Sequence, residues 1–259
     1  MLTVASWNVN SIKARLDHLV NWCESTRPDV VALQETKTVD AGFPFEVLST
    51  LGYHAEISGQ PSYNGVAILS REAPQEVVTG IPGFADEQKR VLGVRFRDLF
   101  VLDLYVPNGS AVGSEKYAYK LAWLDALLAW LPTLLAANQK LLIVGDFNVA
   151  PDDRDVHDPA AWRDQILCSE PERARIQQLL GLGFVDTFRM FEPAAGIFSW
   201  WDYRAAGFRR NLGLRIDLSL ASTALAADCV ASVIDREPRG WEKPSDHAPV
   251  VTRFADLKS

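Results

Sequence analysis

Short runs of Val, Ile, Leu and Phe recur along the whole chain, and most stop at a residue that carries chemistry rather than at a neutral turn. They are Leu2–Trp7, Val30–Leu33, Gly65–Leu69, Val91–Phe96, Phe100–Tyr105, Leu141–Val144, Ile197–Trp201, Ile216–Ala221, Val230–Ile234 and Pro249–Phe254. Such runs have the length and composition of buried strands and are too short for buried helices. Helical patterns are fewer. Ile12, Leu16, Leu19, Val20 and Cys23 share one face at helical spacing. Ser114–Leu131 is rich in Ala, Leu and Trp, and Glu172–Leu180 follows Pro171, a residue suited to a first turn. Many strands with a few helices predict an α/β chain of two β-sheets packed face to face with helices outside. No break in composition divides the sequence, so residues 1–259 are expected to form one domain.

Composition narrows the function classes. With 48% hydrophobic and 23% charged residues the chain has material for a sizeable core. No apolar run nears the ~20 residues of a membrane span. Met1-Leu2-Thr3-Val4 leads straight into a strand pattern without a basic leader, so no signal peptide is expected. Cys23, Cys168 and Cys229 have neither disulfide-framework nor zinc spacing, which points to a reducing, cytoplasmic setting. The net charge of −7 does not suggest a nucleic-acid binder by itself, so any such contact depends on local basic patches. There is no G-x-x-x-x-G-K-[ST] loop for a nucleotide cofactor and no nucleophile elbow.

The residues that end the apolar runs form a coherent set. VASWN ends at Asn8, VVALQE at Glu35, LFVLDLY at Tyr105, and LLIVGDFN at Asp146 and Asn148. RIDL embeds Asp217, and SDHAPVV places Asp246 and His247 at a strand entrance between stiffening prolines. Taken singly, each has an ordinary reading as a cap, a turn or a solvated charge. Repetition at strand ends, where loops converge, favours a shared site. Carboxylate and amide oxygens suit a hard divalent cation, a His held by an Asp can stay cationic beside a phosphate, and Tyr and Asn supply hydrogen bonds. These are the parts for in-line attack of water on a phosphodiester.

The ordered motifs SWNVN, LQETK, YVPNG, GDFNVAP, GLRIDLSLAS and KPSDHAPV resemble the exonuclease III family of DNA-repair nucleases and apurinic/apyrimidinic endonucleases, from Val4 to Phe254. FVDTFR and FSWWDYR strengthen the likeness. The resemblance implies a four-layer α/β/β/α sandwich of the DNase I-like kind. It also implies a Mg²⁺-dependent site, with Mn²⁺ as a substitute. By that resemblance Asn8, Glu35 and Asp246 are metal-side residues. Tyr105 contacts the scissile phosphate, Asp146 activates water with Asn148 beside it, and Asp217 and His247 pair. The implied partner is double-stranded DNA with abasic sites or 3′ ends, and the implied state is a monomer without membrane attachment. Asn10-Ser11 departs from the glycine or acidic residue common in relatives, and Leu212 stands where an arginine can occur. Beginning almost at its first catalytic strand, the chain is expected to lack the N-terminal regulatory segment of some eukaryotic relatives.

Basic residues with interleaved aromatics can track a DNA backbone. Lys89, Arg90, Asn108, Arg204, Arg209, Arg210 and Arg215 are the candidate DNA contacts, with Arg236, Arg239 and Lys243 as a further group beside Trp241. Phe198, Trp200 and Leu214 match the family's apolar pocket for an extruded baseless sugar, which excludes a nucleotide that keeps its base. FSWW reads equally as a core strand. Alternatives are a regulator that binds nucleic acid without chemistry, and a phosphoesterase of the same fold acting on small substrates.

Overall fold

A computed structural model of the chain describes residues 1–255. Two six-stranded mixed sheets lie face to face. In the first, β1 (Leu2–Asn8) runs parallel to β2 (Val30–Gln34), and the crossover between them is α1 (Ile12–Thr26). After α2 (Phe45–Thr50), β3 (His54–Ser58) and β4 (Val66–Ser70) complete one side antiparallel. The second sheet repeats the plan. Its β5 (Glu76–Thr79), β6 (Val91–Phe96) and β7 (Leu99–Tyr105) are antiparallel. The long α3 (Glu115–Ala137) then crosses to β8 (Lys140–Asp146), parallel to β7. The short α4 (Pro159–Trp162) and α5 (Glu170–Gly181) precede β9 (Phe184–Asp186) and α6 (Thr187–Phe191). A ribbon of β10 (Trp200–Trp201) and β11 (Gly213–Leu214) leads into β12 (Asp217–Ser222), which joins the second sheet. Finally α7 (Thr223–Ala226), β13 (Cys229–Ile234) and β14 (Val250–Phe254) return the chain to the first sheet beside β1.

Strand alternation builds three cores from these sheets. Ala5, Trp7, Val31, Leu33 and Val251 pack outward against Ile12, Leu19 and Trp22 of α1. Phe100, Leu102, Leu104, Ile143 and Leu220 pack outward against Trp123, Leu127 and Leu131 of α3 and Ile176 of α5. Val4, Ala32, Val101, Leu142, Val144 and Phe254 fill the space between the sheets. The result is the expected α/β/β/α sandwich.

The inner faces change character along their length, and this positions the site. On β1 the inward residues run Val4, Ser6, Asn8; on β7, Val101, Asp103, Tyr105; on β8, Leu142, Val144, Asp146. Apolar residues close one end of the interlayer. A middle rank is polar: Gln34 Nε2 donates to Asp103 Oδ1 (2.6 Å) and to Ser6 Oγ (3.1 Å). Burial there holds the Asp103 carboxyl well above the ordinary carboxylate range, in its neutral form. The last rank is charged.

Several expectations are corrected. The segment from Ile197 is a strand only at Trp200–Trp201, in the small ribbon rather than in a sheet. The edge strands β3 and β5 escape a search for apolar runs because they are mostly exposed or half-buried, so their sequences are mixed. α3 continues past Pro132 to Ala137, held by the burial of Leu131 and Leu134 on either side of the proline.

Candidate active site

Backbone register assembles the charged rank. Tyr105 lies opposite Asp146 across the parallel β7–β8 pair, and Asp217 lies opposite Asp146 across the antiparallel β8–β12 pair. Three neighbouring strands therefore set a tyrosine and two carboxylates side by side. Gly145 makes this possible. At φ 139°, a Cβ there would sit 1.9 Å from the Leu104 carbonyl oxygen, so no other residue fits immediately before Asp146. From the facing sheet come Asn8, the last residue of β1, and Glu35, one residue past β2. Glu35 (φ 52°) and Asn148 (φ 49°) both hold the left-handed conformation, so the backbone is strained on both sides of the site.

Asn8 bridges the layers. Its Nδ2 donates to Glu35 Oε1 and to Asp146 Oδ2, each at 2.9 Å, and its Oδ1 accepts the Asn10 N–H at 3.0 Å. Ser245 Oγ donates to the Asn8 carbonyl (2.6 Å) and accepts the His247 N–H (3.2 Å), tying the KPSDHAPV loop to β1. His247 Nδ1 meets the Asp217 oxygens at 2.8 and 3.0 Å, and its Nε2 lies 3.6 Å from Asp146 Oδ2. Ser199 Oγ donates to Asp217 Oδ2 at 2.6 Å and accepts the Ile216 and Asp217 N–H groups. The motif reading missed Ser199; its only signal was a hydroxyl inside the apolar run FSWW.

Burial and charge set the protonation states. Burial alone would lower the His247 pKa, but the Asp217 and Asp146 charges and the Asp217 hydrogen bond raise it well above an ordinary imidazole, so His247 is cationic at neutral pH. Burial raises the Asp146 pKa, with the Asp217 and Glu35 charges adding to it against the opposing pull of His247 and the Asn8 hydrogen bond. Burial, followed by Glu35 and Asp146, keeps Tyr105 protonated.

The sequence-derived metal set is rearranged. Glu35, Asp146 and His247 offer ligand atoms that all lie within 4.8 Å of one another. A cationic His is no ligand, so Glu35 and Asp146 are left as the oxygens able to hold a metal, hard donors of the kind a hard divalent cation takes. Asp246 does not join them. Its Oδ1 accepts from Asn10 Nδ2 and its Oδ2 from Trp200 Nε1, both at 3.0 Å. Asp246 lies in a bend just before His247, and its carboxylate turns to Trp200 and Asn10 while the His247 ring turns to Asp217 and Asp146. Burial would raise the Asp246 pKa; His247 and those two hydrogen bonds outweigh it and keep the group ionised. Asn8 turns its amide nitrogen, not its oxygen, toward the carboxylates. Asn10, the departure noted above, links Asp246 to Lys37, whose Nζ lies 2.6 Å from Asn10 Oδ1 and 2.9 Å from Glu35 Oε2.

Asn148 has its side chain engaged: Oδ1 accepts from Asn108 Nδ2 (3.1 Å) and Nδ2 donates to the Val106 carbonyl (3.0 Å). Its main-chain N–H reaches Asp146 Oδ1 at 2.9 Å. Lys89, Asn108, Arg204, Arg209 and Arg210 are exposed, with Arg204 paired to Asp202. Arg90 is buried, its guanidinium held by Gln88 and the Tyr105 carbonyl and stacked 4.7 Å from the Tyr105 ring centroid. Arg215 is corrected from a DNA contact to an internal ion pair. It is 1% exposed, with Nε 2.6 Å from Asp155 and Nη2 2.7 Å from Asp186, so no face is left for a phosphate. The pocket trio also divides. Trp200 packs with Leu214, while Phe198 joins Trp201 and Ala248 in a separate core. The chain is extended only from Trp200, so the alternation that would set Phe198 beside Trp200 does not hold.

Residues 5–247 match the profile of the Endonuclease/Exonuclease/phosphatase family. The chain is 38% identical to exodeoxyribonuclease III of Haemophilus influenzae over 262 residues, covering 96% of this chain and 98% of that one. It is 31% identical to the DNA repair nuclease APEX1 of Danio rerio, over 98% of this chain and 82% of that one. Among solved structures, a 3′ phosphatase of Neisseria bound to a product DNA hairpin superposes with a TM-score of 0.97 at 41% identity, covering 98% of this chain and 100% of that one. An AP endonuclease from Archaeoglobus fulgidus gives 0.94 at 39% identity, over 98% and 99%. The chain therefore belongs to the endonuclease/exonuclease/phosphatase family and, within it, to the exonuclease III and AP endonuclease group of hydrolytic DNA-repair nucleases.

Proposed function

We propose that this protein is a Mg²⁺-dependent nuclease that cuts double-stranded DNA on the 5′ side of an abasic site. It leaves a 3′ hydroxyl and also processes 3′ ends as exonuclease and as phosphatase or phosphodiesterase. The observation that carries this reading is the cationic His247, held by Asp217 with its free ring nitrogen 3.6 Å from Asp146, beside Glu35. A fixed cation and a carboxylate of raised basicity, side by side, are what hydrolysis of a phosphodiester requires.

Glu35 and Asp146 would hold the cation, Mg²⁺ or Mn²⁺ in its place. When bound, it polarises the phosphoryl oxygen and neutralises charge in the transition state. The chain's own residues do the rest. Asp146, oriented by the Asn8 amide and the Asn148 N–H, takes a proton from the attacking water. His247 donates through Nε2 to a non-bridging oxygen, with Asp217 and Ser199 fixing the ring's tautomer. Tyr105, kept protonated, donates to the same phosphate. The water oxygen bonds to phosphorus as the bond to the 3′ oxygen breaks, and that oxygen takes a proton from solvent to leave as the 3′ hydroxyl while Asp146 returns its proton to solvent. Trp200, half-buried and backed by the fully buried Leu214, is the wall that a baseless sugar would meet, and Lys89, Arg209 and Arg210 are exposed for contact with the backbone, as is Asn108 beside Asn148. On this reading the chain is one domain acting as a cytoplasmic monomer. Its buried Cys23 and Cys168, with thiols pushed up by burial, are poorly reactive and need no oxidising compartment.

The test uses two labelled duplexes, one with an internal abasic-site analogue and one intact with a recessed 3′ end, each incubated with Mg²⁺ and with EDTA. Cutting at the abasic position in Mg²⁺ alone is the expected result. A ladder only from the 3′ end would restrict the activity to end processing. Binding without cleavage would make the protein a regulator.

A further inference from the structure

Lys120 and Glu172 take no direct part in this chemistry, yet both are fully buried. The ammonium of Lys120, on α3, donates to the Glu172 carboxylate, to the Asn108 carbonyl at 3.1 Å and to the Asn148 carbonyl at 2.6 Å. Three donors meet three acceptors, so the tripod is complete. Glu172 takes the Leu167 and Ser169 N–H groups, each at 3.1 Å, and the Ser169 hydroxyl at 2.6 Å. Any fully buried ammonium needs an acceptor for each of its three N–H groups, so the informative point is which acceptors it takes. Here two of the three donors grip main-chain carbonyls in the loops that leave β7 and β8, the strands of Tyr105 and Asp146. Gly109 adds to the fit: it stands at φ 90°, and a Cβ there would lie 3.1 Å from Lys120 Cδ. The Asn148 carbonyl belongs to a residue in the strained left-handed region whose N–H closes on Asp146 Oδ1. What holds that carbonyl holds the hydrogen bond to the carboxylate.

We infer that Lys120 is a positioning residue of the hydrolytic site, its ammonium fixing the Asn108 and Asn148 carbonyls and through them the direction in which Asp146 presents its carboxylate. The inference rests on the reading of Asp146 as the group that receives the proton from water. Loss of the grip lets the loop relax. A misplacement of about 1 Å at a reacting group costs on the order of 10²-fold in rate.

The test compares wild type, K120M, E172Q and K120M/E172Q on the abasic duplex in Mg²⁺, with thermal unfolding measured alongside. The double variant carries no unpaired buried charge and keeps an acceptor for the Ser169 cap, so it is expected to fold. Its kcat should fall about 10²-fold at little-changed KM. E172Q removes the carboxylate that opposes the burial-lowered pKa of Lys120, but even a neutral amine keeps two N–H donors for the Asn108 and Asn148 carbonyls, so kcat should stay within a few-fold. A double variant with wild-type kcat, or one that changes only KM, overturns the inference. So does an E172Q loss equal to that of K120M, and this second comparison decides the matter if the double variant does not fold. Wild type that fails to cleave would count against the proposed function instead.

Discussion

Arg215 and Asp217 are two residues apart and equally buried, yet they belong to charge clusters of opposite design. Arg215 and Arg189 share Asp155, and Arg215 also binds Asp186, so two guanidiniums face two carboxylates. Both arginines also lie over the Phe188 ring, at 5.2 and 5.4 Å. The cluster closes on itself and pins the loop around Asp155 to the strand edge. Asp217 belongs to a set in which Glu35, Asp146 and Asp217 face His247, with Lys37 beside Glu35. That set is not closed. Burial raises the Asp146 pKa against the pull of His247, a His nitrogen is directed at an acid 3.6 Å away, and the backbone at Glu35 and Asn148 is left-handed. Burial of charge does not itself mark a catalytic site. Incomplete compensation does.

The comparison is broken most sharply at Asp146. Asp146→Asn should lower kcat by about 10³-fold or more while leaving DNA affinity nearly unchanged, since the acceptor of the water's proton and one of the two metal-holding carboxylates are lost and no DNA contact is. Thermal unfolding should show no loss of stability. A carboxylate whose folded pKa is raised above 3.8 weakens the fold as pH rises through that interval, and Asn removes this cost. Turnover within tenfold of wild type would sink the assignment.

Arg215→Met should do the opposite. Leaving Asp155 and Asp186 short of a buried partner costs on the order of 3–5 kcal/mol, read as a lowered Tm or denaturant midpoint. The folded fraction should bind DNA with an unchanged salt slope; a slope reduced by about one unit would restore Arg215 as a phosphate contact.

The pH profile sharpens the contrast without mutation. Asp146 must be ionised to take a proton; burial raises its pKa and a cation held there would pull it down, so the acidic limb of activity should move to lower pH as Mg²⁺ is raised. His247 must stay protonated and its pKa is raised, so activity should decline only well above the ordinary 6.5. A basic limb near 6.5 in kcat would show that His247 is not held as a cation. The smallest effect is expected at Ser199. Ser199→Ala removes one donor from Asp217, and a loss of about tenfold in kcat is anticipated, the low end for one hydrogen bond to a charged group. Wild-type kcat in this variant would remove Ser199 from the His247–Asp217 relay.

The cores and most strands were legible because the buried strands carry continuous apolar runs. The edge strands β3 and β5 were not, since half-exposed positions tolerate mixed residues. The members of the site were legible as polar interruptions: Asn8, Glu35, Tyr105, Asp146, Asp217 and His247 each end or interrupt an apolar run. Their partners were less so. Ser199 carries no pattern of its own, and Lys120 reads as one more helical charge until α3 is seen to bury it against Asn148.

By itself the sequence determined which residues are inward and which are chemically capable, because period-two alternation and residue type are local properties. It could not assign Arg215 or Asp246, since a charge in a short motif looks the same whether it faces solvent, DNA or a buried counter-ion. Only the tertiary structure decided that Arg215 closes an internal ion pair, that Asp246 turns to Trp200 and Asn10, and that Glu35 and Asp146 share the metal-competent corner. Those assignments depend on which strands become neighbours. Sheet register and loop packing settle that across more than two hundred residues of chain, from Asn8 to His247.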